Sequence, residues 1–256
     1  MSVRLYLRED LRSKLPADYR LYATAEGETL ARSVTSATTR IELFGRTMFR
    51  KRYVYPPSTS LKAALRNTLV RPSRAAREFR MLTLLSERMG NDAVPEPIAF
   101  GEKRTCLFLR EALLLTLAVP GGMTLETIGL PNPATACTLG SFVARMHRSG
   151  LIHGSLFTRN LLQAPDGSIR VVDLDHARVF APGRLPPIGP RSRDLAFLAE
   201  SVHGSRQNRL RALHSYAEMV GENSREIAAV VDDHREEARE RLDRRKRERP
   251  PGRRPT

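Results

Sequence analysis

Tryptophan is absent from this 256-residue sequence, and cysteine and lysine are scarce. The two cysteines, Cys106 and Cys137, stand far apart and in no metal-ligand spacing. That excludes a disulfide framework and a thiolate metal site, and it reads as free thiols in a reducing compartment. Long apolar runs are missing too. The longest, Ala112 to Val119, falls far short of the roughly 20 residues that a membrane-spanning helix needs. Met1 to Leu15 mixes acids and bases with leucines and has no apolar centre, so no signal peptide is expected. A soluble, cytoplasmic protein is the expectation. Acidic residues are few as well: 28 against 43 basic ones, a net charge of +15. Such a chain is drawn to polyanions such as nucleic acid, anionic membrane or phosphorylated substrates. Much of the excess lies in the terminal run Arg235 to Arg254, which reads as a solvated segment, so no specific nucleic-acid partner is expected.

What remains is 41% hydrophobic, enough to bury the core of one large domain or two lobes. Residues 1–25 show little periodicity. Arg40–Phe44 and Thr47–Tyr55 read as strands joined near Gly45, and Ser60 to Arg71 as a short basic helix. Ser73 to Met89 is a stronger helix, with Pro72 and Ser73 at its start and Gly90 at its end. Ile98–Phe100 and Cys106–Leu109 read as strands with Gly101–Arg104 as their turn. Beyond Glu111 the pattern turns helical. Thr135 to Ser149 is a helix stopped by Gly150, and further helices follow at Asp194–His203 and Leu210–Val220. Asn160–Gln163 and Ile169–Leu174 read as a hairpin about Pro165-Asp166-Gly167.

The chemistry concentrates in His153-Gly154-Ser155-Leu156-Phe157-Thr158-Arg159-Asn160, the hairpin, and then Val171-Val172-Asp173-Leu174-Asp175. Kinase catalytic loops have His-x-Asp, an asparagine five residues on, a strand pair and a second aspartate. All of these offsets are met, but Ser155 occupies the place of the catalytic aspartate. Phosphoryl transfer is mostly positioning and charge neutralisation. Asn160 and Asp173 offer hard oxygens suited to Mg²⁺ and would hold it against the phosphates of ATP. A phosphate-binding cation is also needed. Only five of the basic residues are lysines, so Lys51, on the second strand, stands out. Glu78, on the strong helix, is its natural partner. Arg50 or Arg52 would replace Lys51 only if the strand register slipped, because alternation puts both on the other face.

These stretches resemble the lipopolysaccharide core kinases of the Kdo/WaaP family, small relatives of the protein and RIO kinases. The likeness lies in Phe49–Tyr53, Arg74–Leu85, Val94-Pro95-Glu96-Pro97 through Phe100-Gly101-Glu102, Met146–Gly150, the catalytic segment and Arg193-Asp194-Leu195, over roughly residues 40–202. It implies an α+β, bilobal, protein-kinase-like fold. Residues 1–111 would form a small β-rich lobe with the helix 73–89. Residues 112–231 would form a larger helical lobe holding the loop 153–160 and the strand 169–175, with 232–256 a basic tail that starts as a polar helix from Asp232 and decays into disorder at Pro250-Pro251-Gly252. It implies ATP and Mg²⁺ as cofactors, Asp194 as support for the loop, and a sugar or anionic glycolipid as acceptor, met at the inner face of the membrane.

Two departures stand out. No glycine-rich loop precedes Lys51, and Thr35 to Thr39 stands in its place. And a serine hydroxyl is no base at neutral pH, a loss of about 10²–10⁴ in rate. Asp175 would substitute if the strand stayed extended, since Asp173 and Asp175 would then share a side. Asp175 reads equally as a hydrogen-bond anchor. His153 reads as a base or, more in keeping with the motif, as a brace for the loop. A slowed phosphotransferase and a nucleotide-binding pseudokinase are the two leading readings, with a basic nucleic-acid-associated protein on the same fold as a third.

Overall fold

A computed structural model describes residues 2–56, 72–106 and 108–247. The expected helix over Ser60 to Arg71 lies outside the described residues. Two compact units are present. One comprises the described residues up to Leu84 with Pro95–Ala118; the other comprises Leu85–Val94 and the described residues from Val119 onward. The division thus falls after Ala118 rather than after Glu111, because the apolar run at Ala112 continues a strand of the first unit.

The N-terminal unit is one antiparallel sheet of six strands in the order β1-β5-β6-β4-β3-β2. They are β1 (Ser2–Leu7), β2 (Gly27–Arg32), β3 (Ser36–Leu43), β4 (Arg46–Val54), β5 (Pro97–Thr105) and β6 (Phe108–Leu117). The apparently patternless first 25 residues supply β1, paired with β5, and a short helix α1 (Tyr19–Thr24) capped by the Asp18 carboxylate. Tyr19 and Tyr22 pack with Met48, Ile98, Leu113 and Leu115 in a core on one face of the sheet. The expected turn at Gly101–Arg104 is instead the middle of β5. A Cβ on Gly101 would lie 2.6 Å from the Tyr19 ring, so the glycine admits an aromatic rather than a reversal of the chain.

Helix α2 (Arg74–Met89) starts as its sequence dictates. Ser73 Oγ accepts from the Ala76 amide at 3.0 Å, and the buried Glu102 carboxylate accepts from the Ser73 amide at 3.2 Å. Two of the amides that a helix start leaves without partners are satisfied in this way.

The C-terminal unit is mostly helical: α3 (Leu125–Ile128), α4 (Pro133–Arg148), α5 (Ile188–Ser201), α6 (Arg206–Val220), α7 (Ser224–Asp232) and α8 (Arg235–Arg247). Short strands β7 (Met123–Thr124), β9 (Leu161–Gln163) and β10 (Ile169–Val171) form one small sheet, and β8 (Leu151–Ile152) pairs with β11 (Arg178–Val179). Asn132 caps α4, and Gly150, at φ 81°, ends it. The polar helix expected from Asp232 is present as α8, which follows the end of α7, so this part of the basic tail is helical rather than disordered. Ala238, fully buried, and ion pairs from Arg239 (2.8 Å) and Arg235 (3.5 Å) to Glu200 hold α8 on α5. The helix is legible in the sequence but its docking is not, because its anchors are one alanine and charges that find partners within the unit.

Helices α4 and α6 approach closely through small residues. A Cβ on Gly140 would lie 2.1 Å from the Ala212 carbonyl oxygen, and Ser141 and Ser215 join hydroxyls at 2.9 Å. Gly140→Val is therefore expected to cost about 1–3 kcal/mol by overpacking, read as a lowered melting temperature. Gly189→Ala, at a position with nothing within 4 Å, is expected to change it little.

Candidate active site

In the N-terminal unit, alternation along β4 sends its two faces to different tasks. Lys51 and Tyr53 share one face. Lys51 Nζ lies 3.0 and 3.2 Å from the Glu78 carboxylate oxygens, and the Tyr53 hydroxyl donates to the same carboxylate. Glu78 is only 3% exposed, so its charge is sustained by these partners rather than by water. The expected Lys51–Glu78 pair is therefore formed between strand and helix. Tyr53, which sequence reasoning missed, fixes the carboxylate from a second side; its spacing of two residues from Lys51 on a strand was the available signal.

Arg50 and Arg52 face the other way. Arg50 Nη1 donates to the carbonyls of Tyr22, Ala23 and Ala25, each at 2.9 Å, and so caps the end of α1. Arg52 donates to Glu111 at 2.5 Å. Neither competes with Lys51.

The segment expected as a phosphate loop is corrected by the structure: Ser36–Thr39 belongs to β3, and the turn is Ser33–Thr35. Ser33 Oγ accepts from the amides of Thr35 (3.3 Å) and Ser36 (3.0 Å). No residue of this turn takes a positive φ, so it is made without the glycines that such loops otherwise need.

In the C-terminal unit, β8 delivers the chain to the segment 153–160. Asp194, on α5 and fully buried, accepts from the amides of His153 (2.7 Å) and Gly154 (2.8 Å). Gly154 sits at φ 74°, where a Cβ would lie 2.8 Å from the His176 carbonyl oxygen, so no larger residue fits there unstrained. His153 Nε2 contacts the Val172 carbonyl at 3.0 Å, while its Nδ1 is buried without a hydrogen-bond partner. The tautomer that satisfies the ring carries its proton on Nε2 and braces the residue before Asp173; the remaining basic nitrogen is shut away from solvent.

Asn160 Nδ2 donates to the Ser155 carbonyl at 2.9 Å, which sets the amide's orientation and turns Oδ1 to the opposite side. The Val172 amide donates to the Asn160 carbonyl at 2.9 Å, and Leu161 pairs with Val171 in the hairpin. Asn160 and Asp173 therefore emerge at neighbouring points of one hairpin base. Ser155 is 2% exposed.

The strand expected to run to Leu174 stops at Val171. Asp173 is left-handed at φ 64°, ψ 50°, and Leu174–His176 is a 3-10 turn. At three residues per turn, positions two apart do not share a side. The extension that would have aligned Asp175 with Asp173 is not present, and Asp175 is 4% exposed, with His176 Nε2 3.5 Å away.

Behind Asp194 lies a set of residues that sequence reasoning did not assign. His147 Nε2 is 3.5 Å from the Asp194 carboxylate, and its Nδ1 is 2.9 Å from the Tyr216 hydroxyl. Arg191 donates to Tyr216 at 3.2 Å and to both oxygens of Glu222 at 3.0 and 2.7 Å. Burial lowers the His147 pKa against the opposing pull of Asp194, and pushes the Tyr216 hydroxyl up to about 12. His147 is thus neutral in the fold. Thr158 is tied separately, its amide and hydroxyl bonding Ser201 at 3.0 Å each.

An antiparallel sheet with a lysine–glutamate pair in one unit, and a helix-anchored loop followed by a hairpin and an aspartate in the other, define the class: a protein-kinase-like fold. Comparison with known proteins agrees. A model of the "Lipopolysaccharide kinase (Kdo/WaaP) family" matches residues 20–216. A 3-deoxy-D-manno-octulosonic acid kinase of Xanthomonas oryzae pv. oryzae (strain PXO99A) is 32% identical over 142 residues, 54% of this chain and 53% of that one. Its namesake in Xylella fastidiosa (strain M12) is 29% identical over 131 residues, 51% and 50% of the two chains. The chain spans about half the length of the curated relatives it matches. A solved structure, WaaP in complex with acyl carrier protein, superposes with a TM-score of 0.64 at 21% identity, covering 93% of this chain and 98% of that one. The chain belongs to the lipopolysaccharide kinase (Kdo/WaaP) family. Among the described residues no helix is long and apolar enough to cross a membrane.

Asp194→Ala would leave the buried His153 amide and the part-buried Gly154 amide without their partner and is expected to cost about 1–3 kcal/mol or more, read by denaturant unfolding. His147 titrates at 6.5 when unfolded and lower when folded. The unfolded state therefore binds the extra proton, and stability falls as pH drops below that value. Melting temperatures between about pH 7.5 and about pH 5.5 should decline on the acid side, with the slope reduced in His147→Gln.

Proposed function

We propose that the protein is an ATP- and magnesium-dependent phosphotransferase that acts on a sugar hydroxyl of a lipopolysaccharide-type acceptor, with a chemical step slowed by Ser155. The observation that carries this reading is the Lys51–Glu78 pair at 3.0 Å, the arrangement kinases use to hold the nucleotide phosphates. Glu78, with Tyr53, keeps Lys51 oriented. Asp194 holds the backbone of the loop, and His153 ties that loop to the residue before Asp173.

The donor chemistry fits magnesium. Asn160 and Asp173 offer a carbonyl and a carboxylate oxygen, and among the described residues no group of three or more His, Cys, Asp or Glu forms a cage. Magnesium favours such sparse sites, completing its shell with water and phosphate oxygens. When bound, it supplies charge neutralisation on the transferring phosphoryl group.

The acceptor follows from kinship. The relatives are named as kinases of 3-deoxy-D-manno-octulosonic acid, an acidic sugar, and a chain of net charge +15 suits an anionic glycolipid at a membrane surface. Ser155 supports a second reading, a pseudokinase that binds nucleotide without turnover. Its hydroxyl cannot accept the acceptor's proton at neutral pH, and Asp175 does not stand beside Asp173 to replace it.

Mg-ATP binding and phosphoryl transfer to a 3-deoxy-D-manno-octulosonic acid acceptor, measured on wild type and Ser155→Asp side by side, decide between the two. Wild type is expected to bind Mg-ATP and turn over slowly, and Ser155→Asp to gain about 10²-fold or more. Binding without any wild-type turnover leaves the pseudokinase. Lys51→Ala should weaken Mg-ATP binding under either reading; unchanged affinity removes Lys51 from the nucleotide site.

A further inference from the structure

The face of β2, β3 and β4 that turns away from Lys51 carries a cavity of about 290 Å³. Arg32, Arg50 and Arg52 line it with Ala37, Thr39 and Ser33, and among the described residues no acidic one does. Strand register assembles it. Thr39 stands directly across from Arg50, and Ala37 across from Arg52. The small side chain of Ala37 leaves room in front of a guanidinium, where a larger residue would fill it.

The charge here is neutralised only in part, by Glu111 on Arg52. Glu111 is already bonded by Arg52 at 2.5 Å and by the Tyr19 hydroxyl at 2.8 Å. Arg50 binds only neutral carbonyls, and its Nε is buried without a hydrogen-bond partner. Burial depresses the Arg50 pKa, and the charge of Arg52 adds to the effect against the opposing pull of Glu111. An ordinary surface arginine is relieved by water. This one is held partly desolvated beside a second cation, an arrangement that costs free energy unless an anion completes it.

We propose that this pocket is a second anion site, which takes the phosphomonoester group of a ligand other than the nucleotide. Planar guanidinium forks match tetrahedral oxyanions in two-point contact, and the Thr39 hydroxyl, 7% exposed, lies beside them. The volume sits at the small end of ligand pockets. It admits a phosphate with the first carbons of its alcohol, not a nucleotide. Arg50 and Arg52 thereby acquire a role distinct from that of Lys51, on the opposite side of the same strand. The inference does not depend on catalysis, and absence of turnover would leave it standing.

The alcohol carrying the phosphate is either a soluble sugar or a lipid, and the test has an arm for each. Glucose 6-phosphate is titrated calorimetrically. Vesicles of phosphatidylcholine with and without phosphatidic acid are tested by co-sedimentation. Wild type is compared with Ala37→Asp, which sets a carboxylate against the arginines without removing a native contact, and with Arg32→Gln at an exposed position. Both variants are expected to bind at least about tenfold more weakly, the loss of one charge-assisted contact. Weakening in the calorimetric arm assigns the site to free phosphomonoesters, and weakening in the vesicle arm assigns it to a lipid headgroup. If wild type binds neither probe, or if both variants bind like wild type, the proposal is overturned.

Discussion

A single buried carboxylate organises the C-terminal unit. Asp194 has no access to water, so its charge depends on the donors around it, and the amides of His153 and Gly154 are the two it grips most closely. A carboxylate in that setting tolerates no loss of partners. The loop therefore cannot drift from α5. Behind it, His147, Tyr216, Arg191 and Glu222 carry the same constraint outward to α6 and the turn beyond it. In front of it, the order of the loop passes through Ser155 and Asn160 to the hairpin and Asp173. Along this chain of polar contacts Ser155, Asn160, His153, Asp194, His147 and Arg191 are all buried.

Much of this was legible because its signals are local. Asn160 and Asp173 stand at the offsets of a kinase catalytic segment, and Asp194 was read from the family resemblance. The lysine of β4 was conspicuous among arginines, and Ser73 and Gly150 mark helix ends by chemistry that needs no tertiary context. Failures occurred where a residue's reason lies elsewhere in the chain. Gly101 reads as a turn because glycine beside charges usually makes one; it is there for the Tyr19 ring. The first 25 residues look patternless because β1 exists through its pairing with β5. Residues 235–247 look like a solvated run because the carboxylate that anchors them, Glu200, is on another helix. The 3-10 turn after Val171 was hidden by a stretch whose valines favour a strand up to the residue where the backbone turns away.

β4 shows how a two-residue period separates duties. Four consecutive residues, Arg50 to Tyr53, place two arginines on one face and a lysine with a tyrosine on the other. The lysine face is committed to Glu78, and the arginine face to carbonyls, Glu111 and an open cavity. A one-residue slip would exchange these faces. β4 is secured against it by pairing with β3 and β6 along nearly its whole length.

Asp173 occupies left-handed backbone that most side chains avoid, yet asparagine, aspartate and glycine accept it at little cost. The two demands on that position, a conformation and a carboxylate, are thus separable: asparagine or glycine keeps the first and discards the second. Ser155 is the companion case, a polar residue at a buried loop position that holds its place without a carboxylate. Architecture of this kind can outlive the reaction it was shaped around. A lineage could lose its chemistry one carboxylate at a time while every helix stayed in place, and the molecule would persist as a folded ligand-holding platform.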